Sequence, residues 1–259
     1  MKKTALITGA SSGLGTEFAR IHASKGGNLV LVARSKDKME TLQTELQNQF
    51  GVSVHVIAKD LSEQSAPKAI FDEMKSKKIR IDYLINNAGF GDFGDFVESD
   101  WEKQLQMINL NITALTYLTR LFLPDMVANK SGRILNVAST AAFQPGPTMS
   151  IYFASKAFVL SFSEAIANEL SGTGVTVTAL CPGATETGFK QAASLDSSNL
   201  FKGNGIATSL EVAEFGYKSM KAGKTVAVHG FVNSLMAQSV RFAPRKIVTA
   251  IARQKLKAN

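Results

Sequence analysis

Residues 4–15 read TALITGASSGLG, and this stretch decides the fold. Its first five residues form a short apolar run typical of a buried strand, and apolar residues at helical spacing begin at Leu14. Three glycines join the two parts: Gly9 permits a tight turn, Gly13 lets a ligand approach the backbone, and Gly15 allows close packing of helix against strand. The free N–H groups at the start of the helix then favour a bound diphosphate.

The spacing of these glycines, Gly-x3-Gly-x-Gly, is neither the commoner Gly-x-Gly-x-x-Gly nor a Walker loop, which ends in Gly-Lys-Ser/Thr. A glycine-rich turn without a ligand is the alternative interpretation. The position of the turn between a first strand and a first helix favours dinucleotide binding. The predicted dinucleotide contacts in this turn are Gly9, Ser11, Ser12, Gly13, Leu14 and Gly15.

Beyond this turn, short apolar runs alternate with longer runs of helical period. Strands are predicted at residues 4–8, 29–33, 52–58, 83–86, 133–138, 175–181 and 225–228. Helices are predicted at residues 14–25, 36–50, 65–77, 100–127, 151–170 and 210–222. The alternation predicts an α/β fold: a single doubly wound Rossmann domain over residues 1–259, with a seven-stranded parallel sheet and helices on both faces. An irregular polar stretch, about residues 187–209, is interpreted as a substrate lid.

Composition argues against several other classes of protein. A single cysteine, Cys181, excludes a disulfide framework and a cysteine-rich zinc site, and the three histidines show no ligand spacing, so no metal is predicted. Six bases and no acid occupy residues 241–259, and the remainder of the chain is close to neutral although the net charge is +8. This distribution argues against nucleic-acid binding. Because no apolar run suits a signal peptide or a membrane span, a cytoplasmic protein is expected.

Several motifs occur together and in one order: Thr8-Gly9-x3-Gly13-x-Gly15, Asn86-Asn87-Ala88-Gly89, Ser139, Tyr152-x3-Lys156 and Pro182-Gly183. This set resembles the short-chain dehydrogenase/reductase family over residues 4–187, and it extends to a branch of uncharacterised bacterial reductases. The resemblance implies an oxidoreductase that interconverts a carbonyl and an alcohol by hydride transfer with a nicotinamide dinucleotide. It also implies a homodimer or homotetramer, since the helices predicted at residues 100–127 and 151–170 match those that form interfaces in the family.

The end of the second strand selects the dinucleotide. An acid there would bond to the ribose 2′-hydroxyl of NAD, whereas an arginine accommodates the 2′-phosphate of NADP. The strand ends in Arg34, with Lys36 and Lys38 close by, so NADP(H) is predicted in preference to NAD(H). An ordinary exposed strand-end charge is the alternative. Asp60 and Leu61 resemble the family's adenine contact, and Asp60 also suits a helix N-cap.

Tyr152 and Lys156 are four residues apart and therefore share one face of a helix. A nearby ammonium lowers the pKa of a phenol by stabilising the phenolate, which suits Tyr152 to act as general acid and base towards a carbonyl. Tyr217 and Lys221 have the same spacing. Because Ser139 stands thirteen residues before Tyr152 at a strand end, we assign the first pair to the chemistry and interpret the second as a solvated helix face.

The resemblance implies further roles. Ser139 would donate a hydrogen bond to the substrate oxygen. Asn111 would hold a water that relays protons to Lys156, with Asn109 as the competing candidate. The implied cofactor contacts also include the lysine and tyrosine of the helix and the residues that follow strands four and six: Asn87, Ala88, Gly89, Tyr152, Lys156, Pro182, Gly183, Thr185 and Thr187.

The substrate pocket is predicted to be apolar. Candidate lining residues, with Ser139 and Tyr152, are Phe90, Phe93, Phe143 and Met149, although each of these four suits the core equally well. A hydrophobic ketone, aldehyde or secondary alcohol is therefore expected.

The C-terminal segment, residues 241–259, contains a basic amphipathic pattern at residues 244–256. A terminal helix with a wet basic face is one interpretation; docking of an acidic carrier protein, a CoA thioester or a membrane surface is the other. Two further alternatives concern the whole chain. A non-catalytic dinucleotide sensor would be expected to lose Tyr152 or Lys156, and a nucleotide-sugar epimerase generally needs a larger C-terminal domain.

Overall fold

Seven parallel strands form one sheet in the computed structural model, which describes residues 2–187 and 206–256. The strands are β1 (Thr4–Thr8), β2 (Asn28–Ala33), β3 (Val54–Ala58), β4 (Tyr83–Asn86), β5 (Gly132–Val137), β6 (Val175–Cys181) and β9 (Val226–Val228). A separate parallel pair consists of β7 (Thr185–Glu186) and β8 (Ala207–Thr208). The predicted seven-stranded parallel sheet is confirmed, and each predicted strand lies within two residues of its observed bounds. Most of the predicted lid, about residues 187–209, lies outside the described residues.

Nine α-helices accompany these strands in the described part of the chain. They are α1 (Gly13–Ser24), α2 (Lys36–Phe50), α3 (Ala66–Ser76), α4 (Trp101–Ile108), α5 (Leu115–Ala128), α6 (Ser150–Glu169), α7 (Ser209–Lys221), α8 (Phe231–Ser239) and α9 (Arg245–Leu256). Helix α8, which follows Gly230, was not predicted. None of the described helices is long and apolar enough to cross a bilayer.

The strand order is β3-β2-β1-β4-β5-β6-β9. The chain therefore moves from β1 to one edge of the sheet, returns to the other side of β1, and continues to the opposite edge. Ile7 in β1 is paired with Leu31 of β2 on one side and Ile85 of β4 on the other. In such sheets a crevice opens beyond the carboxyl ends of the strands where the order reverses, and ligands bind there.

Consecutive residues of β1 point to opposite faces of the sheet and are buried on both. Ile7 lies in a core formed with α1, α2 and α7, whereas Leu6 lies in a core formed with α3, α5 and α6. Because helices cover both faces, the central strands are apolar without alternation, and this was the pattern that predicted a parallel sheet.

The helical stretch predicted over residues 100–127 is present, and a six-residue π-helical segment at Asn109–Ala114 divides it into α4 and α5. Wider turns of this kind are rare and often lie at functional sites. Here the segment contains Asn111, which is 1% exposed.

The interpretation of Tyr217 and Lys221 as a solvated face is wrong for Tyr217, whereas Lys221 is exposed as expected. Tyr217 is 4% exposed in the core beneath α7, with its hydroxyl 2.9 Å from Nδ1 of His22. Nε2 of His22 lies 3.1 Å from the carbonyl oxygen of Lys3, which can only accept, so Nδ1 accepts from Tyr217. Lys221 donates to the Tyr83 hydroxyl at 3.0 Å. The second Tyr-x3-Lys pair thus combines a buried tyrosine of the core with a lysine that lies exposed at the end of α7.

Candidate active site

The glycine-rich turn joins β1 to α1 as predicted. Gly9 and Gly13 have φ of +66° and +54°, a region that favours glycine. A Cβ on Gly15 would lie 2.1 Å from the carbonyl oxygen of Gly9, which is far closer than atoms can approach. The side chain of Ser12 makes no capping hydrogen bond at the start of α1. The turn therefore fits a diphosphate, whose oxygens would accept hydrogen bonds from the N–H groups at the N-terminus of α1.

A cavity of about 420 Å³ runs along the carboxyl edge of the sheet from this turn. Every predicted cofactor residue lines this cavity except Gly15, which packs behind the turn. The predicted residues that line it are Gly9, Ser11, Ser12, Gly13, Leu14, Arg34, Asp60, Leu61, Asn87, Ala88, Gly89, Ser139, Tyr152, Lys156, Pro182, Gly183, Thr185 and Thr187. One space therefore brings together residues from seven separate parts of the chain.

One end of the cavity is basic. Arg34 at the end of β2 is 77% exposed, and its guanidinium lies 3.8 Å from the carboxylate of Asp60. Lys59, which was not predicted as a site residue, lines the same end of the cavity. Asp60 accepts hydrogen bonds from the amide and hydroxyl of Ser62 at 2.9 and 2.8 Å, and α3 begins only at Ala66. Asp60 therefore holds a turn and does not cap the helix, which corrects that alternative.

The residues after β4 are tied to β1. The hydroxyl of Thr8 accepts hydrogen bonds from the amides of Asn87 and Ala88 at 3.0 and 2.9 Å, and the Asn87 side chain donates to the Thr8 carbonyl at 2.9 Å. Asn86 instead points into the core and donates to Asn136 at 2.9 Å. These bonds hold the two strand ends at a fixed separation beside the glycine-rich turn.

Ser139, Tyr152 and Lys156 meet in the middle of the cavity. Ser139 follows β5, and its hydroxyl forms a hydrogen bond with Tyr152 on α6. Lys156, one turn further along α6, donates to the carbonyl oxygen of Val137 at 2.8 Å and lies 5.7 Å from the centre of the Tyr152 ring. Helix α6 thus places a phenol and an ammonium side by side against the end of β5.

Asn111 lies behind this group in the π-helical segment. Its amide donates to the Phe90 carbonyl at 2.9 Å and to the Ser155 hydroxyl at 3.1 Å, and its carbonyl oxygen accepts from the Phe90 amide at 3.2 Å. A Cβ on Gly89 would lie 2.9 Å from Oδ1 of Asn111 and 3.5 Å from Nζ of Lys156. Both side chains therefore approach Gly89 on the side where a Cβ would stand, which favours Asn111 over Asn109 as the member of the site.

Burial changes the pKa values of this group. It raises the pKa of Tyr152 to about 12, against a smaller lowering by the hydrogen bond with Ser139. It lowers the pKa of Lys156, which is 6% exposed, to about 8. We expected Lys156 to lower the pKa of Tyr152, and for the polypeptide alone this expectation is wrong, because desolvation of the phenolate outweighs any attraction from the ammonium.

Cys181 is a buried core residue, as expected from its place in β6. Burial raises the pKa of its thiol to about 12, so it carries no nucleophilic thiolate near neutral pH. Within residues 2–187 and 206–256, no group of three His, Cys, Asp or Glu side chains is placed to hold a metal ion.

The apolar part of the cavity differs from the prediction. Phe90 and Met149 line it, whereas Phe93 and Phe143 pack into neighbouring apolar clusters. Phe153 and Gln144 line it and were not predicted. In the sequence, Phe153 has no motif or spacing that distinguishes it from the other apolar residues of α6.

The doubly wound sheet, with a glycine-rich turn and a serine, tyrosine and lysine at one crevice, is typical of dinucleotide-dependent oxidoreductases. The chain belongs to the short chain dehydrogenase family, whose model matches residues 3–198. This match covers β1 to β7, and so every predicted cofactor and catalytic residue.

Comparison with known proteins agrees with this assignment. The chain is 36% identical over 187 residues to a short chain dehydrogenase of Pseudocercospora fijiensis, covering 71% of this chain and 60% of that protein. A short-chain dehydrogenase from Sphingobium yanoikuyae, solved in complex with NADPH, is 33% identical with a TM-score of 0.84 and 99% of each chain covered. A bulky-bulky ketone specific alcohol dehydrogenase from Comamonas testosteroni is 31% identical, with a TM-score of 0.79 and 93% and 92% of the two chains covered.

Proposed function

We propose that this protein is an NADP(H)-dependent oxidoreductase that interconverts a hydrophobic ketone or aldehyde and the corresponding alcohol, with Tyr152 as general acid and base. One observation carries the proposal: the hydrogen-bonded pair Ser139 and Tyr152 lines the same cavity as the glycine-rich turn, with Lys156 beside it. The dinucleotide, when bound, would supply or accept the hydride.

Tyr152 would give its proton to the carbonyl oxygen as the carbonyl carbon receives the hydride. The C=O double bond becomes a single bond, the oxygen takes the phenolic proton, and Tyr152 is left as a phenolate. Oxidation of an alcohol reverses each transfer. A pKa raised to about 12 keeps the phenol protonated at neutral pH, which is the form that reduction requires.

Ser139 and Lys156 would act on the charges that develop. The Ser139 hydroxyl would donate to the substrate oxygen while negative charge accumulates there. The Lys156 ammonium would stabilise the Tyr152 phenolate that forms and would bond to the nicotinamide ribose. Asn111 would complete the group by positioning a water that returns a proton towards Lys156, across the backbone of Gly89.

The preference for NADP(H) is supported by the basic end of the cavity. Arg34 and Lys59 line it, and the only carboxylate among its described lining residues, Asp60, is held by Ser62 and lies near Arg34. Two cations beside the place of the ribose 2′-position suit a phosphate dianion. The Sphingobium yanoikuyae relative was solved with NADPH.

The substrate part of the cavity supports an uncharged, hydrophobic carbonyl compound. Phe90, Met149 and Phe153 line it, with Gln144 as a polar contact. Apart from Lys156, every cation among the described lining residues lies at the other end of the cavity. The relative from Comamonas testosteroni acts on bulky-bulky ketones, which agrees with this composition.

We further propose a cytoplasmic homodimer or homotetramer, with α5 and α6 as the interface helices. Helix α6 carries Phe158, an exposed aromatic side chain that stacks on Phe162. Such a side chain suits an interface between copies. Sedimentation velocity of the wild type and of Phe158→Glu tests this assembly, and a wild type that sediments as a monomer would reject it.

A screen of ketones and aldehydes, read as NADPH consumption, tests the proposed chemistry. We expect turnover of bulky aryl or alkyl ketones and its loss in Ser139→Ala, by about a hundredfold or more. Tight NADPH binding without turnover of any carbonyl compound, and without oxidation of the matching alcohols, would favour the dinucleotide sensor instead.

A further inference from the structure

The last two helices expose an unusual amount of apolar surface. Seven of the twelve large apolar side chains that are exposed in the described residues fall within residues 231–251. Phe231 and Phe242 are 84% and 88% exposed. We call the exposed residues of 231–256 the C-terminal surface; its apolar members include Phe231, Val232, Leu235, Phe242, Ile247 and Ile251.

The two helices that carry most of these side chains lie against each other. Lys255 near the end of α9 reaches Sδ of Met236 on α8, at 3.7 Å. Helix α9 is held by a separate stripe, Val248, Ala252 and Leu256, at intervals of four residues. Because that stripe is already buried, the exposed apolar residues of α9 are not needed to attach the helix to the domain.

The charge of the surface has one sign. Residues 231–256 contain five bases and no acid. All five bases are exposed: Arg241, Arg245, Lys246, Arg253 and Lys255. An apolar surface framed by cations alone fits a partner that is both negatively charged and apolar.

We propose that the C-terminal surface binds peripherally to a lipid bilayer that contains anionic headgroups. A second copy related by a two-fold axis would bring the same surface against this one, and residues 231–256 contain no acid to pair with its bases. A bilayer supplies both requirements, since headgroup phosphates attract the bases and the acyl region receives Phe231 and Phe242. At nine and twelve residues, α8 and α9 are too short to span a bilayer, so they would lie in its interface.

The position of this surface connects it with the substrate. Leu256 packs in one cluster with Ala141, Met149 and Phe153, all three of which line the cavity that contains Tyr152. The helix that would contact lipid, α9, thus also packs against residues that line the substrate part of the cavity. An apolar substrate dissolved in a bilayer would then be close to its site; this consequence rests on the proposed function, whereas lipid binding does not.

Co-sedimentation of the full chain with vesicles tests the proposal. We expect binding to vesicles of phosphatidylcholine mixed with phosphatidylglycerol, and at least about tenfold weaker binding to phosphatidylcholine alone. The double variant Arg245→Glu with Lys246→Glu and the single variant Phe242→Ser should each bind the anionic vesicles at least about tenfold more weakly.

Matched controls lie elsewhere on the chain. Lys77→Glu with Lys224→Glu reverses the same number of exposed charges, and Val97→Ser removes an apolar side chain that is 91% exposed. Both controls should bind the anionic vesicles as the wild type does, and thermal melts followed by circular dichroism should show that every variant is folded.

Three results would overturn the proposal. The first is absence of vesicle binding, or equal binding by the wild type and the charge-reversed variant. The second is retention of the wild type on immobilised polyglutamate without vesicle binding, which would assign the surface to an acidic protein. The third is a dimer that Phe242→Ser dissociates, which would assign the surface to a second copy. Because none of these measurements uses turnover, their outcome is independent of the proposed activity.

Discussion

Lys156 donates a hydrogen bond to the carbonyl oxygen of Val137 and places its ammonium 5.7 Å from the centre of the Tyr152 ring. Burial sets the pKa of the lysine at about 8 and that of the tyrosine at about 12. At neutral pH the pair therefore consists of a charged ammonium and a neutral phenol. This is the combination that carbonyl reduction needs, because the phenol donates its proton and the ammonium stabilises the phenolate that remains.

Tyr152→Phe should lower kcat/KM for carbonyl reduction by about a hundredfold or more, since the ring remains and only the proton donor is lost. Circular dichroism and NADPH fluorescence titration should show a folded variant that still binds the dinucleotide. Activity within a few-fold of the wild type would reassign the proton donor.

Tyr217→Phe provides a matched control, because Tyr217 has the same spacing from a lysine. This substitution leaves Nδ1 of His22 without its donor in a site that is 2% exposed. We expect the free energy of unfolding to fall by about 1–3 kcal/mol, with kcat/KM unchanged. Loss of turnover in folded Tyr217→Phe would mean that the second pair also takes part in the reaction.

The rate of carbonyl reduction should depend on the charge of Lys156. With a pKa of about 8, the lysine is charged below pH 8 and neutral above it, whereas Tyr152 stays protonated throughout. The kcat/KM for a ketone at saturating NADPH should therefore be level from pH 6 to about 8 and fall towards about one tenth per pH unit above that. A level profile up to pH 10, with NADPH binding constant over the same range, would contradict this role.

Lys156→Met should stabilise the fold while it abolishes activity. The pKa of Lys156 falls from 10.5 in the unfolded chain to about 8 in the native one, which corresponds to about 3 kcal/mol of stability lost to the buried charge at neutral pH. The variant also loses the bond to Val137, so we expect a net gain of about 2 kcal/mol and a Tm several degrees higher.

The pH dependence of stability provides the check on this interpretation. Between pH 8 and 10.5 the unfolded wild type binds more protons than the native form through Lys156, so that lysine makes stability rise with pH. The difference in unfolding free energy between Lys156→Met and the wild type should shrink across this range. A difference that stays constant would mean that the native lysine is not desolvated.

Arg34→Asp should reverse the choice of dinucleotide. The arginine is 77% exposed at the basic end of the cavity, where a carboxylate would repel the 2′-phosphate and accept from a 2′-hydroxyl instead. We expect NADPH to bind at least tenfold more weakly in fluorescence titrations, with NADH binding equal or stronger. Equal affinities of the wild type for NADPH and NADH would refute the predicted preference before any substitution is made.

The carboxyl edge of the sheet was predictable to a large extent. Gly9 and Gly13 mark a backbone that needs positive φ, and continuous apolar runs mark strands buried on both faces; both requirements are local. The apolar lining of the substrate part of the cavity was not predictable, since Phe93, Phe143 and Phe153 are equivalent in the sequence. Their packing alone decides that Phe153 lines the cavity while Phe93 and Phe143 fill neighbouring clusters.

The amino-acid sequence by itself determined which segments form strands and helices, the glycine-rich turn, and the placement of Tyr152 and Lys156 on one helix face. Each of these features depends on residues that are neighbours along the chain. Only the tertiary structure decided that Tyr217 would meet His22, 195 residues away, instead of forming a solvated face. The same holds for the pKa of Lys156 and for the apolar side chains left exposed on α8 and α9. Each depends on how many atoms from distant segments surround a group, and that number exists only once the helices have packed onto the sheet.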